Sequence, residues 1–281
     1  MKRAIALLLA ALALVAGCAT LDEQQRKLIF QPSDRSWWGG AQAAEGMRDV
    51  WIEFDSKQTE PARVKLHGLW LPQAEPDAPV MLYLHGARWD VRSSAHRMRR
   101  MHELGFAVLG IDYRGFGQST NTLPSEDLAH EDAQAAWRWL AERHPGSARF
   151  LFGHSLGSAI AVRLASEVDD AAGLIVEGGF TSIPDVFSTM KWGWLPLGPF
   201  ITQRFDAAAR VERVKAPLLV VHGSEDRLIQ PELGRALYER AKGPKRFVLV
   251  EGGTHHNTNA VGQSQYRRAV AELFGLKLAL Q

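Results

Sequence analysis

Cysteine is almost absent. Cys18 is the only one in 281 residues, which excludes an internal disulfide framework and a cysteine-built zinc site. A surplus of one charge sign is also missing, since 33 Lys and Arg face 31 Asp and Glu for a formal +2. Cation contacts to phosphate dominate nucleic-acid affinity, so this balance argues against a nucleic-acid partner. No apolar run approaches the ~20 residues of a spanning helix. The longest, Ala4–Ala16, would reach only ~20 Å as a helix, against a hydrocarbon core of ~30 Å. Internal repeats, low-complexity stretches, an H-E-x-x-H pair and paired C-x-x-C motifs are all missing. His255 and His256 are adjacent and cannot place two ligands on one face, so metal dependence is not expected, and no cofactor is implied.

What is present begins with a short leader. Lys2 and Arg3 precede the apolar run Ala4–Ala16, the layout of a secretory signal. Val15-Ala16-Gly17-Cys18 resembles a bacterial lipobox. The resemblance implies cleavage before Cys18, diacylglycerol on its sulfur, and stable membrane attachment through two or more chains. Ala19 after the cysteine, rather than Asp, implies the outer membrane if the host is Gram-negative. Residues 1–17 are then a signal peptide and residues 18–45, polar and mixed, a lipid-anchored tether.

From residue 46 to 281 short apolar runs alternate with longer helical patterns. Strands are expected at Val50–Phe54, Val64–Leu71, Val80–Leu84, Ala107–Ile111, Phe150–Phe152, Gly173–Val176, Leu218–Val221 and Phe247–Val250. Helices are expected at Ser93–Leu104, Glu126–Arg143, Leu156–Val168, Pro231–Ala241 and Gln263–Phe274. Leu128, Ala135, Trp139 and Leu140 give the second helix one buried stripe. The basic cluster Arg92–Arg100 reads as a solvated helix face. Strands alternating with helices predict a single α/β domain with a mostly parallel sheet covered on both faces, and an antiparallel edge from the first two runs.

Chemistry concentrates at Gly153-His154-Ser155-Leu156-Gly157. This is a G-x-S-x-G motif that follows a strand and opens a helix, the context in which a tight turn exposes a nucleophilic Oγ. Side chains at 153 and 157 would collide with the neighbouring strand and helix. Acid candidates follow the strand Leu218–Val221, at Glu225 and Asp226. Base candidates follow the last strand, at His255 and His256. The order Ser, acid, His suits a relay in which the base takes the serine proton and the acid fixes the imidazole.

Together these motifs resemble the α/β-hydrolase superfamily from about residue 46 onward. The segment Asp112–Ser119 matches a structural marker of that family. More narrowly, the chain is similar to short-lid bacterial hydrolases of serine aminopeptidase-like or lysophospholipase-like type. The resemblance favours Asp226, which follows the His222-Gly223 pair by three, and His255, which fits a Gly-x-His turn. It implies backbone oxyanion donors at Ala87 and Leu156. A serine at the elbow departs from relatives with Asp or Cys nucleophiles. About 40 residues between Glu177 and Pro217 leave little for a cap domain. The aromatic residues there, Phe187, Trp192, Trp194 and Phe200 with Leu195 and Leu197, are expected to pack in the core, the alternative being an acyl-binding wall or a membrane-facing rim.

The expected function is hydrolysis of acyl esters or thioesters, from small molecules or lipids, by Ser155, His255 and Asp226 through an acyl-enzyme. An amidase or peptidase using the same residues is the alternative, because the elbow does not fix the leaving group. A non-catalytic binding module on the same fold is a third reading, and the ordered Ser155, Asp226 and His255 argue against it.

Overall fold

A computed structural model describes residues 17, 19–59 and 62–276. The expected signal peptide, apart from Gly17, and the expected lipid-bearing Cys18 lie outside the described residues. Eight strands form one sheet: β1 (Arg48–Asp55), β2 (Arg63–Leu71), β3 (Val80–Leu84), β4 (Ala107–Ile111), β5 (Arg149–His154), β6 (Ala171–Glu177), β7 (Leu218–Gly223) and β8 (Lys245–Val250). Their order is β1-β2-β4-β3-β5-β6-β7-β8. β2 runs antiparallel to β1 and β4, and the remaining pairs are parallel. This is the α/β architecture expected from the strand and helix pattern, antiparallel edge included.

Pleating explains the two cores. In β3, Val80, Leu82 and Leu84 face one core, and Met81 and Tyr83 face the other. α4 (Glu126–Arg143), α5 (Leu156–Ala165), α7 (Ala208–Val211) and α8 (Pro231–Arg240) cover the first core. α3 (Ala95–His102) and α10 (Gln263–Phe274) cover the second. β1 buries only Ile52 and presents Arg48, Asp49, Glu53 and Asp55, charges that protect an edge from further pairing. Ser125 caps α4 by accepting from the Leu128 amide, with Glu126 and Asp127 in the first turn, so the helix starts where the sequence indicates.

The N-terminal segment departs from the tether reading. Residues 19–30 form a helix, α1, and Phe30 is fully buried. Its ring lies 5.5 Å from that of Phe205 and 6.5 Å from that of Phe116. Arg26 donates to the carbonyls of Pro124 and Leu123. The Phe30 carbonyl accepts from the Arg88 amide at 2.8 Å, and Ser33 O accepts from Gly117 N at 3.0 Å. A further helix, α2 (Gly40–Ala43), buries Ala43 against the second core. The packed domain thus begins upstream of residue 46. A polar composition hid this because most of these links are hydrogen bonds to carbonyls, carried by a single large apolar residue.

The basic cluster on α3 is only partly solvated. Arg97 is turned inward to Glu177, and Arg99 donates to the carbonyls of Ala43 and Glu45. Among the described residues no helix is long and apolar enough to cross a membrane.

Phe30→Ala tests the docking of the segment. Truncating a buried phenylalanine costs about 3–5 kcal/mol, read as a lower denaturation midpoint at unchanged slope. A loose tether would change stability by no more than about 0.5 kcal/mol.

Candidate active site

Ser155 occupies the turn between β5 and α5 with φ 54° and ψ −123°, a left-handed backbone at a non-glycine residue. Its neighbours permit the turn. A Cβ at Gly157 would strike the carbonyl oxygens of Leu84 and His85, and one at Gly153 would strike the backbone of Gly157 and Ser158. The Ser155 amide donates to the Glu177 carbonyl at 2.9 Å, tying the turn to the end of β6.

The structure brings three of the expected side chains together. His255 Nε2 lies 2.9 Å from Ser155 Oγ, and His255 Nδ1 lies 2.7 Å from Asp226 Oδ2. With a carboxylate at Nδ1 the neutral ring carries its proton there, and Nε2 is left to accept from the hydroxyl. Asp226 and His255 are buried, whereas Glu225 and His256 are exposed. The other Asp226 oxygen accepts from the amides of Leu228 and Ile229, at 3.0 and 2.9 Å. Burial opposes its ionisation, but hydrogen bonds from His222 and His255 and the His255 charge hold the carboxyl well below the usual carboxylate range.

The loop after β3 closes the other side. A Cβ on Gly86 would sit 3.0 Å from Ser155 Cβ, so the loop that carries Ala87 packs directly against Ser155. Leu156 opens α5, where an N–H has no intrahelical acceptor. The Tyr113 hydroxyl, from the Asp112–Ser119 segment, donates to His85 O at 3.1 Å and steadies this loop.

Five further residues support His255. Its carbonyl accepts from His154 Nε2 at 3.1 Å and from Arg97 at 3.2 Å, and Arg97 also reaches the His256 carbonyl at 2.9 Å. Arg97 Nε pairs with Glu177 at 2.7 Å, and the Tyr266 hydroxyl donates to the same carboxylate. Burial and the nearby Arg97 charge push the His154 imidazole well below its ordinary range, so it stays neutral and donates. Gly178, at φ 58°, is the fifth; a Cβ there would meet the His255 ring at 3.3 Å. Sequence reading missed all five. Only Arg97 carried a signal, because it sits one turn before Met101 on the buried stripe of α3.

The segment after β6 corrects another expectation. Its helix, α6 (Ile183–Ser188), is short, and Gly193, Pro196, Gly198 and Pro199 stop it from continuing. Trp192, Trp194 and Phe200 are therefore exposed, at 57%, 74% and 63%, rather than packed in the core. Among the described residues no group of three or more His, Cys, Asp or Glu side chains is placed to hold a metal.

The serine aminopeptidase S33 family model matches residues 74–203 and 198–259. The chain belongs to this family of hydrolases. It is 34% identical over 263 residues, 92% of its length and 90% of the relative's, to the uncharacterized protein MT2364 of Mycobacterium tuberculosis. It is 29% identical over 216 residues to the lysophosphatidylserine lipase ABHD12 of Danio rerio; that match covers 70% of this chain and 54% of the relative, about half its length. Among solved structures, the esterase Pf2001 of Pyrococcus furiosus superposes with a TM-score of 0.66 at 24% identity, covering 87% of this chain and 96% of that one. Est1E of Butyrivibrio proteoclasticus, bound to ferulic acid, gives 0.67 at 18% identity, covering 81% and 100%. These superpositions support the α/β-hydrolase fold.

The Arg97–Glu177 pair can be separated from the geometry it holds. Arg97→Met leaves a buried carboxylate without its cation and costs about 3–5 kcal/mol. Adding Glu177→Gln removes the stranded charge and restores most of that stability. The rate at which an organophosphonate labels Ser155 should stay about tenfold or more below wild type in both variants, because misplacement of a reacting group by ~1 Å costs on that order or more. A double variant that labels at the wild-type rate would reduce Arg97 to a purely structural part.

Proposed function

We propose that this protein is a serine ester hydrolase that attacks acyl esters or thioesters with Ser155 and passes through an acyl-enzyme. The observation that carries the reading is the continuous relay from Ser155 Oγ to His255 to Asp226, at 2.9 and 2.7 Å. His255 takes the Ser155 proton as Oγ adds to the acyl carbonyl. The resulting imidazolium is stabilised by Asp226 and then protonates the leaving alcohol or thiol. Water, deprotonated by the same His255, attacks the acyl-enzyme, and the proton returns to Ser155 as the acid departs. The amides of Ala87 and Leu156 receive the oxyanion in both halves. The matched lysophosphatidylserine lipase supports a lipid or lipid-like ester as substrate. The family's aminopeptidase description favours an amide as the second reading.

We infer further that Cys18 carries the lipid anchor, on the strength of the lipobox-like Val15–Cys18 after a run too short to span. The described part of α1 includes residue 19, next to Cys18 in sequence. Asp22 and Gln25 bond to Thr202, and Gln25 also donates to the Phe200 carbonyl. An anchor at residue 18 would therefore tether the chain close to the segment that exposes Trp192, Trp194 and Phe200.

Ser155→Ala is expected to abolish turnover of p-nitrophenyl esters beyond the ~10³–10⁴-fold residual advantage of binding and oxyanion stabilisation. His255→Ala should lose several orders of magnitude in kcat and His256→Ala far less. Asp226→Asn should be far more damaging than Glu225→Gln. Faster cleavage of aminoacyl anilides than of any ester in a graded chain-length series would transfer the assignment to the amide reading. For location, Cys18→Ser should keep esterase activity and release the protein from membranes, and intact mass should show acyl additions on a wild-type chain that starts at Cys18. A wild-type protein without lipid would remove the anchor and leave the catalytic proposal in place.

A further inference from the structure

Backbone strain in this molecule is not scattered. Five non-glycine residues among those described adopt positive φ: Gln31, Arg88, Trp89, Ser155 and Phe205. One is the elbow serine. Three of the other four, Gln31 (48°), Arg88 (64°) and Trp89 (54°), line a single open cleft of about 290 Å³, together with Ser33. Left-handed backbone at a tryptophan is a genuine outlier for a bulky residue, and such conformations persist where the surroundings over-determine them, characteristically at binding sites.

The cleft adjoins the nucleophile. Arg88 and Trp89 follow Ala87 on the loop whose Gly86 lies against Ser155. Consecutive Cα atoms are ~3.8 Å apart, which puts the Arg88 backbone within ~8 Å of that of Gly86. The opposite wall, Gln31 and Ser33, comes from the N-terminal segment. It is held to the loop by the Arg88 amide donating to Phe30 O at 2.8 Å and by Arg88 Nε donating to Gln31 Oε1 at 2.7 Å. That second bond fixes the guanidinium and leaves its two terminal nitrogens free to donate. Arg88 takes part in no ion pair found among the described residues. The nearest carboxylate in sequence, Asp90, is turned away to Ser36 and Arg92. The Arg88 charge also reaches His256, whose imidazole is held below its ordinary value by partial desolvation first, then by the His255 and Arg97 charges, and in smaller part by Arg88.

A positioned, unpaired guanidinium in a cleft also lined by Trp89 and Ser33 suits a bidentate anion. We propose that this cleft is a substrate subsite for an anionic group, a phosphate or carboxylate borne by the ester, with Arg88 as its charged partner. The assignment rests on the ester hydrolase reading above and narrows it to anionic amphiphiles. It also sets the site apart from an aminopeptidase, which must hold a substrate ammonium and would need a carboxylate where Arg88 stands.

Two measurements test it. In the first, wild type, Arg88→Ala and Arg88→Lys hydrolyse a matched pair of esters with one acyl chain, a monoacylglycerol and the corresponding monoacylglycerol phosphate. The ratio of kcat/KM, phosphate ester over neutral ester, should fall about tenfold or more in Arg88→Ala, mainly through KM, and less in Arg88→Lys, as expected for a charge-assisted contact. A ratio unchanged by Arg88→Ala overturns the proposal. In the second, Ser155→Ala protein binds the same two lipids and inorganic phosphate in a calorimeter. The phosphate ester should bind more tightly than the neutral ester, and Arg88→Ala in that background should erase the difference. Equal affinity for the two esters, or inorganic phosphate binding as tightly as the phosphate ester, overturns the subsite, the latter by making it a site for a free anion. Because this binding arm needs no turnover, the cleft is judged on its own even if wild type hydrolyses neither this pair nor the p-nitrophenyl esters, the result that would sink the ester hydrolase reading.

Discussion

Everything at the active site depends on one residue held in an unfavourable backbone conformation. Ser155 at φ 54° and ψ −123° costs on the order of 1–3 kcal/mol, and the turn survives only because its surroundings allow no relaxed alternative. β5 enters it with its two neighbouring strands in register, at Leu84 and at Val176 opposite Gly153. α5 leaves it with Gly157 pressed against the carbonyls of Leu84 and His85. The strain is therefore opposed by the sheet and a core helix together, which is how a hydroxyl comes to stand clear of the strand ends.

Glu177 links that turn to His255. Its carbonyl receives the Ser155 amide, and its carboxylate receives Arg97 and Tyr266. Arg97 in turn holds the His255 carbonyl, while His154, next to Ser155 in sequence, holds the same oxygen. The imidazole is thus fixed at both ends, by Asp226 on the ring and by two donors on the backbone. One residue at the end of β6 braces Ser155 and His255 against each other. A buried ion pair contributes little net stability relative to apolar packing, so its contribution here lies in geometry.

What the sequence made legible follows from how far each signal extends. The strands and the helices α4, α8 and α10 showed themselves because their periodicity is local. Ser155 showed itself because a five-residue motif between a strand and a helix is also local. Choosing Asp226 over Glu225 and His255 over His256 needed the resemblance to known hydrolases, since adjacent residues of like chemistry differ only in the direction they point. Arg97 and Glu177 stand 80 positions apart. Read separately, they are a member of a basic helix face and a strand-end carboxylate, and only the fold reveals a pair. The aromatic segment after β6 misled for the opposite reason. Its apolar content suggested burial, but glycine and proline spacing prevented the helix that would have buried it.

The N-terminal segment shows how weak composition is as a guide to packing. Residues 19–45 are polar and mixed, with no regular apolar period, yet this stretch touches three loops at the strand ends. α1 meets Leu123 and Pro124 through Arg26 and Thr202 through Asp22 and Gln25. Phe30 then meets the loop after β3 through the Arg88 amide. Backbone carbonyls in loops require donors, and a polar segment lying across several loops meets that requirement better than an apolar one. The segment's polarity is thus part of the reason it docks. Since one of those loops lies against Ser155 and the segment supplies Gln31 and Ser33 to the cleft beside it, chain that resembles a spacer becomes one wall of that cleft.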